Sequence, residues 1–258
     1  MNRKIFLLIA LTLVIALGAG CSPGTVGTAT AADEYRVNWV VDGDTIELAG
    51  GKRVRYLGID TPEVRKRIGG RWQYLPEPFA TEAKKLNDDL VRNKNVKLEF
   101  DIVKEDKYGR WLAYVYVDGK MVNEELLRRG YAYTYHIPPN VRHVDRLIGA
   151  QNEARDNKRG LWGSYKIIDP RQAKNNIGKF QAVRGVVLDA NRSRGALFID
   201  FEGGFKAVIF NNNLVFFEKE GINASTYYTG KFVEVIGKIK YVDGPRIIID
   251  HPSQISVL

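Results

Sequence analysis

The chain of 258 residues has one cysteine, two methionines and three histidines. Cys21 alone cannot close a disulfide within the chain, so stability has to come from packing, aided by any bound metal. His136, His143 and His251 show no metal-ligand spacing, and without a second cysteine a zinc site is not expected. Also absent are a Gly-x-Ser-x-Gly elbow and a glycine-rich phosphate loop ending in Lys and Ser or Thr, which removes α/β-hydrolase and P-loop chemistry. The apolar run from Ile5 to Leu17 is too short for a standard membrane span, but behind Met1-Asn2-Arg3-Lys4 it fits the core of an export signal.

What the chain does have is positive charge: a formal net charge of +9 and a pI near 9.5. Such a balance favours polyanionic partners, although a basic protein that is merely soluble has the same composition. Residues 1–20 read as a signal peptide. The following Gly18-Ala19-Gly20-Cys21-Ser22 resembles the lipobox of bacterial lipoproteins, with Gly18 where that pattern usually carries Leu. A lipidated Cys21 would anchor the protein to the outer face of the cell membrane through two or more acyl chains. Cleavage near Ala29-Thr30-Ala31 would instead release it. Residues 21–34, mostly small and polar, read as a flexible tether after that cysteine.

From Tyr35 to Ile59 the pattern is a strand meander with turns at Asp42-Gly43 and Gly50-Gly51. Phe79, Ala83, Leu86 and Leu90 share one face and predict a helix from Phe79 to Arg92, with Pro78 at its start. Strands are expected at Val96–Phe100 and Leu112–Val117, then helices at Asn123–Arg129, stopped by Gly130, and Val141–Lys158, stopped by Gly160. The fold class is mainly β with α: an OB-fold-type five-stranded barrel with helices over residues 35–165, a linker over 166–176 and a second OB-like barrel over 177–258. In that second barrel a regular strand over 196–202 places Leu197, Ile199 and Phe201 in the core and Phe198 on the other face beside Asp200 and Glu202.

Two short stretches carry the chemistry. Asp42-Gly43-Asp44-Thr45 and Arg55-Tyr56-Leu57-Gly58-Ile59-Asp60-Thr61-Pro62-Glu63 bring three carboxylates, Asp44, Asp60 and Glu63, close in sequence to the Arg55 guanidinium. Asp106-Lys107-Tyr108-Gly109-Arg110 supplies a second guanidinium. Hard oxygen ligands suit Ca²⁺, and paired arginines suit the charge of a phosphodiester in its transition state. Arg55 and Asp60 are five residues apart, which puts them on opposite faces of a regular strand, so a bulge or twist is expected near Gly58. Between Glu63 and Pro78, Arg65, Lys66, Arg67 and Arg71 alternate with Trp72 and Tyr74, a composition suited to a mobile loop that grips substrate or to a solvated loop over packed aromatics.

These motifs, in this order, and the block Asp118-Gly119-Lys120-Met121-Val122-Asn123-Glu124 resemble the staphylococcal nuclease family over residues Tyr35 to Trp162. The resemblance implies a Ca²⁺-dependent phosphodiesterase acting on DNA and RNA and leaving 3′-phosphate ends. It implies Asp44 and Asp60 as carboxylate ligands of the ion with the Thr61 carbonyl as a third, and Glu63 orienting or deprotonating the attacking water. It further implies Arg55 and Arg110 on the scissile phosphate, Lys107 and Tyr108 on a phosphate, and Tyr135 against the nucleoside. Tyr133 is the rival for that last place, and Ile137 stands where the family carries a second tyrosine. The expectation is a surface-anchored or secreted nuclease with no obligate protein partner. Its competitor is a catalytically silent lipoprotein that binds nucleic acid or serves in adhesion.

Overall fold

The computed structural model describes residues 34–258; the expected signal, Cys21 and the tether up to residue 33 lie outside the described residues. Strands β1 (Glu34–Val40), β2 (Thr45–Leu48) and β3 (Arg53–Tyr56) form an antiparallel meander. Val37, Val40, Ile46, Leu48, Val54 and Tyr56 are no more than 2% exposed and face one core. The meander stops at Tyr56. Gly58, at φ +74°, turns the chain, and a Cβ there would lie 2.4 Å from Leu147 Cδ1, so the turn requires glycine on both counts. Beyond it β4 (Ile59–Asp60) begins a separate pairing.

Residues 64–78 form no open loop: β5 (Arg65–Ile68) and β6 (Arg71–Tyr74) make a hairpin with Trp72 and Tyr74 largely exposed. Helix α1 (Ala80–Val91) follows from Phe79, which takes a left-handed conformation at the cap, so Pro78 precedes the cap instead of filling the first turn. Strand β7 (Asn95–Glu105) is longer than expected and pairs with β8 (Trp111–Val117). Since β1 also pairs with β7 and β3 runs parallel to β8, the order β1-β2-β3-β8-β7 closes into a five-stranded OB-type barrel, with β9 (Lys120–Met121) added at β8. Helix α2 (Val122–Arg128) packs Val122, Leu126 and Leu127 into the barrel core. Strand β10 (Tyr133–Thr134) pairs with β4, and α3 (Val144–Asp156) and α4 (Leu161–Ser164) complete this half.

The stretch expected as a linker carries β11 (Ile167–Ile168) and a 3₁₀ helix (Pro170–Asn176) whose first turn is capped by Asp169, and Ile168 and Ala173 are buried. Next come β12 (Phe180–Val186), β13 (Asp189–Arg192), β14 (Ala196–Asp200) and β15 (Lys206–Phe210). Helices α5 (Leu214–Lys219) and α6 (Ala224–Tyr227) then precede β16 (Phe232–Lys238), β17 (Lys240–Tyr241), β18 (Pro245–Ile249) and β19 (Ile255–Val257). One sheet runs β11-β12-β16-β19 and the other β13-β14-β15-β18-β17, with β15 and β18 parallel. Because β12 continues into β13 and β16 into β17, the strand neighbours repeat the circuit of the first barrel. Leu197, Ile199 and Phe201 are buried as the alternation requires.

The two halves meet through side chains. Tyr133, Ala154, Leu161 and Trp162 form one apolar cluster with Ala182 and Ile236, and Phe180 lies 5.3 Å from the Tyr133 ring and 5.1 Å from Trp162. The His136 amide donates to Asp250 Oδ2 at 2.6 Å, and Asn213 Nδ2 donates to the carbonyls of His136 and Asp250. Among the described residues no helix is long and apolar enough to cross a membrane.

Candidate active site

At the rim of the first barrel, Arg55 at the end of β3 lies between two carboxylates: Nη1 is 3.1 Å from Asp44 Oδ2 and Nη2 is 2.7 Å from Asp60 Oδ1. The bend at Gly58 makes this possible, because Arg55 Nη1 donates to the carbonyls of both Tyr56 and Ile59 and so bridges the turn. Asp44 is fixed from three directions. Its Oδ2 accepts from the Thr61 amide at 2.9 Å and the Thr61 hydroxyl at 3.0 Å, its Oδ1 accepts from Thr45 Oγ1, and its own amide donates to Asp42 Oδ1. The chain has no room to spare here, since a Cβ at Gly43 would meet Thr61 Oγ1 at 2.7 Å.

Burial pushes the Asp44 carboxyl well above the usual carboxylate range, and the Arg55 charge works in the opposite direction. Burial also opposes the Arg55 charge, but Asp44, Asp60, Asp42 and Glu63 more than restore it, so its pKa lies above the ordinary value. One guanidinium among four carboxylates leaves a surplus of negative charge. The carboxylates gathered there, Asp44 and Asp60, are oxygen donors, which fits a hard dication such as Ca²⁺. Among the described residues no three His, Cys, Asp or Glu side chains are grouped to hold a metal by themselves, so water or a phosphate has to complete any shell.

Glu63 follows on the same segment, exposed as a residue but with neighbours that partly desolvate its carboxyl; that desolvation raises its pKa, and Asp60 and Asp42 add to the rise. A carboxylate beside a bound cation is expected to shift downward, whereas with no ion present this one faces mainly like charge. Its backbone is clamped: the Glu63 amide donates to Glu77 Oε2 at 3.0 Å and the Glu77 amide donates to the Glu63 carbonyl at 2.9 Å.

Lys107, Tyr108 and Arg110 lie together on the turn between β7 and β8. Arg110 Nε and Nη2 are both 2.8 Å from Asp106 Oδ2, so its guanidinium is paired within the turn and not with the Asp44–Arg55–Asp60 cluster. Tyr108 is 72% exposed, with Lys107 Nζ 5.1 Å from its ring centre. Tyr135 is half-buried just beyond β10, its amide donating to the Gly58 carbonyl and Lys240 Nζ 5.5 Å from its ring. Tyr133 is committed elsewhere: it is buried, and its hydroxyl donates to Asp60 Oδ2 at 2.6 Å. Sequence reasoning gives Tyr133 no such part, reads Asp42 only as a turn residue and passes over Glu77 altogether. Tyr133 shares its alternation with Tyr135, which is the one signal that points to it.

An OB-type barrel with a guanidinium held between carboxylates at its rim is the class that fold and site define. The family model described as Staphylococcal nuclease homologue matches residues 53–164, a span that takes in Arg55, Asp60, Glu63 and Arg110 and leaves Asp44 just upstream. The chain is 42% identical over 136 residues, 51% of its own length, to Endonuclease YncB of Bacillus subtilis, and 40% identical to SPbeta prophage-derived endonuclease YokF of the same organism. These matches span 62% and 44% of those two proteins. It is also 35% identical to Thermonuclease of Staphylococcus hyicus over 133 residues, half of this chain and 76% of that one. The chain belongs to the staphylococcal nuclease family.

Proposed function

We propose that this protein is a Ca²⁺-dependent nuclease that hydrolyses phosphodiester bonds of DNA and RNA to leave 3′-phosphate ends. The observation that carries the reading is Arg55 held between Asp44 and Asp60 in a cluster with more negative charge than it can neutralise. Asp44, Asp60 and the Thr61 carbonyl would hold the ion. When bound, Ca²⁺ supplies charge that polarises a phosphoryl oxygen and favours ionisation of water. Arg55 donates to the nonbridging oxygens as negative charge builds on them. Arg110 joins it by exchanging Asp106 for the phosphate, and Lys107 and Tyr108 on the same turn hold a neighbouring phosphate. Glu63 orients the attacking water and accepts its proton, as water adds at phosphorus and the bond to the 5′ oxygen breaks, that oxygen leaving as a hydroxyl with a proton taken from solvent. Tyr135 lies against the nucleoside.

Residues 177–258 form a second OB-like barrel in this reading, supported by the repeated circuit of strand neighbours. There Lys206 and Arg246 lie 5.8 and 6.0 Å from the Phe198 ring, which offsets the acidic residues beside it. Export, and anchoring through Cys21, rest on the sequence of residues 1–21 alone.

The purified protein, incubated with end-labelled single strands, should release fragments with 3′-phosphate termini, and a calcium chelator should stop the release. Arg55→Ala or Arg110→Ala should lower turnover on the order of 10² to 10³. Near-normal turnover in either would remove that arginine from the mechanism, and cleavage that survives chelation would remove the ion.

A further inference from the structure

Both carboxylate-bearing ends of the site are held from behind by the C-terminal barrel. On one side Lys238, the last residue of β16, places Nζ 2.7 Å from Glu77 Oε2, the same oxygen that receives the Glu63 amide. Glu77 is buried, and its other oxygen is 3.3 Å from Lys66 Nζ in the exposed hairpin. Of these two lysines, Lys238 is the better shielded, with its side chain 14% exposed against 39% for Lys66. On the other side Phe180, the first residue of β12, packs on the Tyr133 ring, and the Tyr133 hydroxyl holds the Asp60 oxygen that Arg55 leaves free. A cavity of about 150 Å³ lined by Pro62, Glu77, Phe79, Tyr133, Phe180 and Lys238 lies between the two contacts.

We propose that the C-terminal barrel is a brace for the active site: Lys238 positions Glu63 through Glu77, and Phe180 positions Asp60 through Tyr133. Lys238 and Phe180 are positioning residues that touch no reacting atom. The physical reason is freedom of the chain. The Glu63 segment runs straight into the exposed β5–β6 hairpin; past Glu63 its backbone is tied by the Glu77 clamp and by the Leu75 amide on the Val64 carbonyl. Of these the Glu77 clamp alone reaches Glu63 itself from that side, which a buried carboxylate does only while its charge is compensated. Misplacing a general base or a metal ligand by about an ångström is costly in rate even when every group remains present. The assignment of roles to Glu63 and Asp60 rests on the nuclease reading; the two mechanical linkages do not.

The test uses the full chain and three substitutions. Lys238→Met should speed hydrogen exchange of the Glu63 amide at least about tenfold and lower kcat about tenfold with KM changed less than about twofold. Lys238→Arg should restore both. Phe180→Leu, which keeps an apolar contact but loses the flat ring, should raise the calcium concentration for half-maximal rate a few-fold, roughly three to ten. If Lys238→Met is poorly folded, Lys238→Met with Glu77→Gln removes the uncompensated charge and should keep the exchange rate near that of the parent. Unchanged exchange at Glu63 in well-folded Lys238→Met overturns the brace. So does a loss of kcat that Lys238→Arg fails to rescue. An inactive parent protein would instead sink the nuclease reading, and the exchange measurement would still decide the linkage.

Discussion

Asp250→Asn should make this protein more resistant to denaturant at neutral pH, and by an amount that grows as pH rises. Asp250 lies where the C-terminal half meets the first barrel, with 3% of its surface exposed; Oδ2 receives the His136 amide, and Oδ1 has no hydrogen-bond partner among the described residues. Burial raises its pKa to about 8, with the His136 amide pulling it downward and Asp60 pushing it further up. A carboxyl whose folded-state value exceeds its unfolded value stabilises the fold fully at low pH. That contribution is lost as pH climbs from the unfolded value toward about 8, because the unfolded chain ionises freely and the folded one does not. Each pH unit in that window is worth about 1.4 kcal/mol, so between pH 5 and 7 wild type should lose about 2 to 3 kcal/mol relative to Asp250→Asn. Asparagine keeps an acceptor for the His136 amide, so the variant tests charge and leaves the hydrogen bond in place. His136, whose pKa burial lowers to about 3, titrates in both proteins and cancels in the difference. Urea denaturation of both proteins at pH 5, 6 and 7 measures the difference directly. Parallel profiles would mean that Asp250 ionises in the folded state as easily as in water, and the junction would then be wet.

Two further outcomes follow from the geometry of the first barrel and its hairpin. Gly58→Ala should destabilise the protein on the order of 2 to 4 kcal/mol, because it imposes both an unfavourable φ and a clash with Leu147; a thermal shift of less than a few degrees would show that the turn can relax. Neutralising Arg65, Arg67 and Arg71 on the β5–β6 hairpin should weaken binding of single strands, lowering the salt slope by about 0.7 for each phosphate that no longer has a cationic partner, without abolishing turnover. Unchanged affinity and slope would remove the hairpin from substrate binding.

The first barrel is legible because its strands are rich in β-branched and aromatic residues and its turns use Asp-Gly and Gly-Gly, even though a bulge between Val37 and Trp39 breaks the alternation of β1. Boundaries fail where the pattern is interrupted for tertiary reasons. β7 runs five residues past Phe100 although Ile102 is 70% exposed, and no alternation of buried residues marks that extension. α3 begins at Val144 and not Val141, because the Arg142 amide donates to Asp101 Oδ2 and Asn140 is bridged to Ile137, which holds these residues outside the helix. The hairpin at 65–74 reads as a loop because both its faces are polar or exposed, so no hydrophobic period announces it. At the site, Asp44, Arg55 and Asp60 are legible as types at a spacing. Glu77 and Lys238 are not, since they are 161 residues apart and each looks like an ordinary surface charge.

The electrostatics of the cluster also bear on the contacts that β12 and β16 make with its supporting residues, Phe180 on Tyr133 and Lys238 on Glu77. Taking Asp44 out of water costs free energy that Arg55 offsets only in part, because the same guanidinium also serves Asp60 and lies near Asp42 and Glu63. Left to itself, such a group of carboxylates would relax by spreading apart or taking up protons. The Thr61 amide and hydroxyl and the Tyr133 hydroxyl oppose that by fixing individual oxygens, and Lys238 adds a cation one residue removed from the cluster, on Glu77. The other partners are neutral, and Lys238, though paired with Glu77, favours the charged form of Glu63 alone, so the surplus around Asp44, where the facing charges are Arg55, Asp42 and Asp60, is left in place. The arrangement therefore keeps its geometry and its charge together, which is what the proposed function requires of a cluster that would take up a dication and present arginines to a polyanion.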